Sequence, residues 1–235
     1  MQLISLGYLL FVVIGLFCYY ILPKKFQPTI LFIMSIFFYC SYNISLVGYI
    51  IVTILSTYIA ANKIEGKDKN DKNKKRILQL VLIINFGMLA SVKYTDLLVP
   101  IGISFYTFQT TGYLLDVYWK KEKAEKSISR YALFASFFPQ IIQGPISKYK
   151  QLSGELFREH TYKGDVIESG ILLIVWGFFK KIVIADTMAV AVSSVYDTPN
   201  YFGASIVMGV LCYCAQLYCD FSGGIDIVNG ASMLF

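Results

Sequence analysis

Charged residues are what this sequence has least of. Only 15% of its 235 residues are Asp, Glu, Lys or Arg, against roughly 25% in soluble domains. From Phe26 to Asn62 there is no charge at all, about twice the length that one membrane crossing needs. A chain that is 56% hydrophobic cannot hide so much apolar surface in one soluble core, so lipid is expected to be its solvent. Histidine occurs once, at His160. No metal-ligand cluster, Gly-rich phosphate loop or Ser-x-x-Lys pattern is present, which removes the usual sequence support for a metalloenzyme or a nucleotide-driven one. The five cysteines, Cys18, Cys40, Cys212, Cys214 and Cys219, lie within apolar runs. They read as small buried hydrophobes, not as a disulfide framework or a zinc site. The first apolar run lacks a basic leader, so it is expected to stay as a span and not be cleaved.

What is present is a series of apolar runs separated by basic loops. The net charge of +6 comes mostly from those loops, the pattern of a polytopic membrane protein and not of a nucleic-acid groove. Spans are expected over residues 3–22, 28–42, 45–61, 77–94 and 97–118, with Pro23 closing the first. A further apolar run covers 166–185, interrupted by Lys180 and Lys181. Residues 188–200 read as an interfacial or loop region, with Asp197, Pro199 and Asn200 as turn formers. A last span is expected over 202–218. No internal repeat is evident, so residues 1–235 read as a single membrane domain.

Lys and Arg near span ends stay in the cytoplasm. Lys24 and Lys25, the loop at 63–76 and the loop at 120–130 fall on one side if the N-terminus is outside. Lys148, Lys150, Arg158 and Lys163 then look cytoplasmic as well. The segment 131–147 would therefore begin and end on the same side, as a re-entrant element does.

That segment contains Phe137-Phe138-Pro139-Gln140-Ile141-Ile142-Gln143-Gly144-Pro145-Ile146, apolar enough for membrane depth yet carrying strong helix breakers. Proline removes a backbone donor and clashes with the preceding turn. Irregular backbone at such depth survives only where protein buries it or where it lines a wet cavity. A kinked membrane helix without a chemical role is the competing reading.

Two acids, Asp220 and Asp226, flank Ser222, Gly223 and Gly224 at the end of the last apolar run. Acids in such a place default to a functional-site hypothesis. Alternatively, they lie in an interfacial loop or pair with lysines such as Lys180. Lys180 and Lys181 themselves are expected to snorkel to the interface. His160, in a polar stretch among charges, reads as a solvated loop histidine and not as a general base. Tyr106, Phe108, Tyr113 and Tyr118 could line a tunnel, although an interfacial aromatic belt is the plainer account.

Four blocks together resemble a known family. Ile101-Gly102-Ile103-Ser104-Phe105-Tyr106-Thr107-Phe108-Gln109 followed by Tyr113-Leu114-Leu115-Asp116-Val117-Tyr118 is similar to the early signature of the membrane-bound O-acyltransferases, in the alginate O-acetyltransferase branch. The 137–146 stretch resembles that branch's re-entrant motif. Trp176-Gly177-Phe178-Phe179-Lys180-Lys181-Ile182-Val183-Ile184-Ala185-Asp186 and Gln216-Leu217-Tyr218-Cys219-Asp220-Phe221-Ser222-Gly223, with Asp226, resemble two later blocks. The blocks occur in the family's order across about 101–230. Gly224 stands where the branch usually has tyrosine, and Cys219 where an aromatic is common. Teichoic-acid D-alanyl transfer proteins are looser relatives.

The resemblance implies an all-α, polytopic transmembrane bundle with a re-entrant, proline-broken segment. It implies acyl transfer, with acetyl the expected group, to a hydroxyl of an exported or cell-wall polysaccharide in a bacterial cell membrane. The donor would be an acyl thioester, acetyl-CoA or an acyl carrier, as a substrate and not a bound cofactor. Partners would be membrane lipid and an exported polysaccharide or a periplasmic or extracellular acyltransferase; no nucleic acid is expected. Gln109, Gln140, Gln143, Gly144, Pro145, Tyr218, Asp220, Ser222 and Asp226 would be tunnel or helix-junction residues. The family's catalytic histidine belongs to a block downstream of residue 235, so no catalytic residue is assigned. The 235-residue chain is expected to be an N-terminal portion without activity of its own. A transporter or flippase built on broken helices, or a non-catalytic subunit docking an acyl carrier, are the alternatives.

Overall fold

The computed structural model describes residues 5–66, 71–95, 98–197 and 203–235. Among them every regular element is helical: α1 (Leu6–Ile21), α2 (Gln27–Tyr42), α3 (Val47–Ile64), α4 (Lys72–Tyr94), α5 (Ile103–Tyr118), α6 (Ile128–Ser136), α7 (Tyr149–Leu156), α8 (Gly164–Phe178), α9 (Asp186–Tyr196) and α10 (Ala204–Met233). Three stretches are long and apolar enough to cross a membrane, Ile44–Ile64, Lys72–Tyr94 and Ala204–Met233, and α1 is a shorter apolar helix. The chain is thus a helical membrane bundle, as its scarcity of charge requires.

Contacts gather the chain into two compact units. One holds Phe17–Thr161, and the other holds Tyr162–Phe235 with the residues up to Leu16.

In the first unit the helix ends follow local chemistry. Pro28 opens α2 at a position where a missing N–H costs nothing. Between α2 and α3, Asn43 accepts a hydrogen bond from the Ser45 N–H at 3.0 Å, an Asx turn that divides the long uncharged run. α5 starts only at Ile103, several residues later than the apolar run does, because Val99 precedes a proline and is biased away from helix. Its N-cap, Gly102, has φ +69°, in the left-handed region that favours glycine. α6 packs against α2, α3, α5 and α7 and sits at the middle of this unit. Its Tyr131 and Phe134, and Phe138 just beyond it, are completely buried. In a membrane bundle such side chains stabilise by close van der Waals packing, since lipid tails are as apolar as the helices they face.

In the second unit, helical backbone runs without a break from α8 through a π-helical turn, Phe179–Ala185, into α9. The expectation of an interfacial loop over 188–200 is therefore corrected: the chain stays helical to Tyr196 and bends at Asp197. The apolar and small residues of 188–195 favour continuation, and only the turn formers stop it. Pro199 and Asn200 lie outside the described residues.

α10 packs along α8 and runs antiparallel to it. It does not end near Tyr218 but continues through Ser222, Gly223 and Gly224 to Met233. These glycines serve close packing and not a turn. A Cβ on Gly177 would lie 2.6 Å from the Gly223 carbonyl oxygen, and one on Gly230 would lie 2.6 Å from that of Gly170. Both glycine pairs are spaced seven residues apart, which keeps them on one face of each helix. Small residues at a helix crossing are how membrane helices bring their backbones together.

Candidate functional site

The proline-broken stretch lies within the first unit and is buried from Tyr131 to Ile141 apart from the half-buried Ala132. The helix ends at Ser136, and the chain takes a non-helical course over 137–148. Phe137, the C-cap, leaves the helical region with φ −52° and ψ 108°, so the following N–H, that of Phe138, no longer reaches the Phe134 carbonyl. Two side chains from other helices take up both groups. The Phe138 N–H donates to the Ser35 hydroxyl of α2 at 3.1 Å. The Phe134 carbonyl accepts from the Gln109 amide of α5 at 3.1 Å. Burial by protein, with partners for the freed backbone groups, is what an irregular segment in lipid needs.

The remaining turns close locally. Gln140 and Ile141 donate to the Phe137 carbonyl, and the Gly144 N–H donates to that of Gln140 at 3.0 Å. A Cβ on Gly144 would sit 2.6 Å from the Gln140 Cα, so the chain folds back on itself there too tightly for a side chain. The Gln140 carboxamide oxygen accepts from the Ser147 hydroxyl at 3.1 Å. Gln143 is half-buried and Pro145 exposed. Gly102 belongs to the same junction: a Cβ there would lie 2.0 Å from the Ile141 carbonyl oxygen. The first and second blocks of the sequence are therefore locked together, glycine against backbone.

In the second unit, Lys180 and Lys181 of the π-helical turn reach α10. Lys180 forms an ion pair with Asp226, and Lys181 one with Asp220. The Lys180 ammonium also lies 3.3 Å from the Ser222 hydroxyl and 5.9 Å from the centre of the Trp176 ring. The expectation that these lysines snorkel is corrected: their side chains are 15% and 17% exposed and held by carboxylates. Pairing is the economical state for charges on membrane helices. A π turn at such a place is typical of functional helices, since its wider step re-aims consecutive side chains. Tyr218, one turn away, is 71% exposed and belongs to no such cluster.

His160 is not a solvated loop residue. Its backbone N–H donates to the Gln27 carboxamide and its carbonyl accepts from it, both at 2.9 Å. Its ring stands edge-on to Tyr19 and is 3.8 Å from Glu155. The reciprocal amide clamp comes from a buried glutamine 133 residues away, which no local pattern could reveal. Tyr106 and Tyr113 are core residues and neither belt nor open wall; the Tyr113 ring packs at a tilt against Tyr131 and Tyr149, with centroids 4.8 and 4.9 Å away. Phe108 is 44% exposed and packs edge-on against Phe86.

A polar cluster that sequence reasoning missed joins α3, the 120–127 stretch and α7. Lys126 pairs with Glu65 and donates to Asn62 at 3.1 Å. Glu125 accepts from the Tyr149 hydroxyl, and its backbone N–H donates to the Tyr113 hydroxyl at 2.8 Å. The Lys126 ammonium holds the Glu65 carboxyl below its ordinary value of 4.5. Partial burial raises the Glu125 carboxyl, but bonds from Tyr149 and from the Ser127 and Lys126 N–H groups outweigh it, and the net direction is down. The alternation of Lys and Glu in residues 120–126 was the one available signal.

No family model matches this chain. It is 31% identical over 232 residues to a protein of Pseudomonas fluorescens named probable alginate O-acetylase AlgI, covering 96% of this chain and 47% of that one. This chain is a homologue of the alginate O-acetylases. The match runs through the blocks that resemble the membrane-bound O-acyltransferases. A peptidoglycan O-acetyltransferase of Helicobacter pylori is 29% identical over 277 residues, covering 96% of this chain and 52% of the relative. A teichoic acid D-alanyltransferase of Lacticaseibacillus rhamnosus is 25% identical over 151 residues, covering 60% of this chain and 36% of the relative. The chain spans about half the length of the curated relatives it matches.

The O-acyltransferase blocks fall into two local assemblies. Gln109, Gln140, Gln143 and Gly144 surround the break after α6, with Gly102 as an added member. Asp220, Ser222 and Asp226 gather on Lys180 and Lys181. Of the O-acyltransferase candidates, Pro145 and Tyr218 stay at the surface of their own units.

Proposed function

We propose that this chain is part of an enzyme that transfers an acetyl group to a hydroxyl of an exported or cell-wall polysaccharide. The observation that carries the reading is the match over 96% of the chain to proteins named for O-acetylation of alginate and of peptidoglycan. In such a transfer the hydroxyl oxygen attacks the acyl carbonyl of a thioester, the carbon–sulphur bond breaks, and the thiol leaves with the proton that a general base removed. The buried break after α6 supports a passage wall at membrane depth, with Gln109, Gln140, Gln143, Gly144 and Pro145 shaping it. The group of Asp220, Ser222 and Asp226 shapes a second wall. The N-terminus outside and the basic loops in the cytoplasm would give the thioester its entry side. An exported polysaccharide or a separate extracellular acyltransferase would receive the acyl group.

The test is chemical. Disrupting the gene that encodes this chain should remove alkali-labile acetate from the cell's surface glycan, and reintroducing the gene should restore it. Unchanged acetate in the disrupted strain would end the reading. The D-alanyltransferase relative favours a second one, and the same alkali treatment distinguishes it by releasing D-alanine. For orientation, a single cysteine placed in the 63–66 stretch should resist a membrane-impermeant thiol reagent on intact cells, and its labelling would reverse the topology.

A further inference from the structure

The first unit contains a cavity of about 380 Å³ between the α1–α2 junction, the start of α6 and the end of α7. Four cations line it, Lys24, Lys25, Arg130 and Arg158, against one acid, Glu159. Among the described residues none of the four forms an ion pair; Arg130 is felt by Glu125 only at a distance. The Arg130 guanidinium lies over the Phe157 ring, 4.7 Å from its centre, so one face is held while its N–H edge stays open. The Ser127 and Ser129 hydroxyls are also on the wall. Phe32, Leu133 and Phe157 make the remainder apolar.

A second basic cavity makes the contrast. It is lined by Lys120, Lys121, Lys123 and Lys126, but Glu65, Glu122 and Glu125 nearly neutralise them, and Lys126 is taken up by Glu65. Only the first cavity has an unmet demand for negative charge. Paired arginines recognise phosphate by forked hydrogen bonds. Lys24 and Lys25 follow the apolar α1 directly and precede the apolar α2, so the cavity lies at the level where a membrane span meets water. Basic pockets between helices at that level hold lipid headgroups. We propose that this cavity binds the phosphate of an anionic membrane lipid. Arg130 and Arg158 grip its oxygens, Lys24 and Lys25 complete the charge, and the apolar wall takes the first carbons of the lipid. This is independent of the acyl-transfer reading, because it uses none of those residues.

The experiment is lipid retention by the full chain in neutral detergent, read by native mass spectrometry. The chain should retain phosphatidylglycerol in preference to phosphatidylcholine. Each charge removed should weaken retention about fivefold, so Arg130→Gln/Arg158→Gln should lower it more than tenfold. Lys24→Gln/Lys25→Gln, which leaves the Phe157 stack intact, should act in the same direction. Lys120→Gln/Lys121→Gln, in the neutralised cavity, should leave retention within about twofold. Equal retention of the two lipids, or phosphatidylglycerol binding indifferent to both cavity variants, would overturn the proposal. So would displacement of the lipid by millimolar inorganic phosphate, which would make the cavity a site for the free ion.

Discussion

The two units handle the same difficulty, polar groups among apolar helices, in opposite ways. In the Phe17–Thr161 unit the backbone itself is broken, and neutral side chains 25 and 103 residues away supply the missing hydrogen bonds. In the Tyr162–Phe235 unit the backbone around the polar cluster stays helical, and the polar groups are charged side chains paired across α8's continuation and α10. Neutral partners fix a conformation at modest electrostatic cost, because nothing needs to be kept ionised. Ion pairs on apolar helices are stable only while both charges remain. The first arrangement should fail in proportion to geometry, and the second in proportion to charge imbalance.

The largest expected effect breaks the geometric side. Gly102→Ala needs a left-handed backbone, costing about 1–2 kcal/mol, and drives a methyl into the Ile141 carbonyl, costing about 1–3 kcal/mol more. Thermal unfolding in detergent should fall by about 10 °C. A fall below about 2 °C would mean that the junction between the first two blocks yields easily, and that its geometry is not what holds the break.

The charge side is tested by a pair. Asp226→Leu leaves Lys180 uncompensated and should cost about 3 kcal/mol, whereas Lys180→Met/Asp226→Leu should recover most of it. If the double variant is as unstable as the single one, the pair contributes through packing or through Ser222, and the contrast with the first unit collapses.

How far this contrast was legible in the sequence depends on the range of the interactions. The apolar runs located α1 to α4, because a span is a local property of twenty residues. Pro139 and Gly144 located the break for the same reason. Ser35 and Gln27 were silent, since a serine in an apolar helix looks like any helix filler until Phe138 is placed against it. Gly223 and Gly224 marked a place where backbone can come close, and at Gly223 it is the Gly177 backbone of α8 that does so. Pairing of Asp220 and Asp226 with lysines such as Lys180 was one open reading, and the antiparallel packing of α8 and α10 is what selects it. The acyltransferase blocks were legible as strings, while their division into two assemblies was not.

A smaller effect sharpens the neutral side. Gln109→Leu leaves the Phe134 carbonyl without its partner, and Ser35→Ala does the same to the Phe138 N–H; each should cost about 1–3 kcal/mol. If Gln109→Leu abolishes O-acetylation in cells while thermal unfolding of the protein is unchanged, the amide serves substrate and not the backbone.

The smallest expected effect is acid sensitivity, and it separates charge from geometry inside the first unit. Glu65 and Glu125 both titrate below the ordinary glutamate value of 4.5 when folded. As pH falls, the unfolded chain therefore takes up protons before the folded one does. The stability these carboxylates contribute is fully present above about pH 5 and declines as pH drops through their lowered values. The Lys126–Glu65 pair is exposed enough that its share should stay under about 1 kcal/mol. Unfolding temperatures followed from about pH 6 to about pH 3 should fall in the native chain, and less steeply in Lys126→Gln. The break after α6, held by an amide, a hydroxyl and backbone groups, has nothing to titrate in that window. A Ser35→Ala variant should accordingly run parallel to the native chain at every pH, displaced by a constant amount. Curves that converge in acid would instead tie the broken backbone to the carboxylate cluster, and the two units would then differ in degree, with charge governing both.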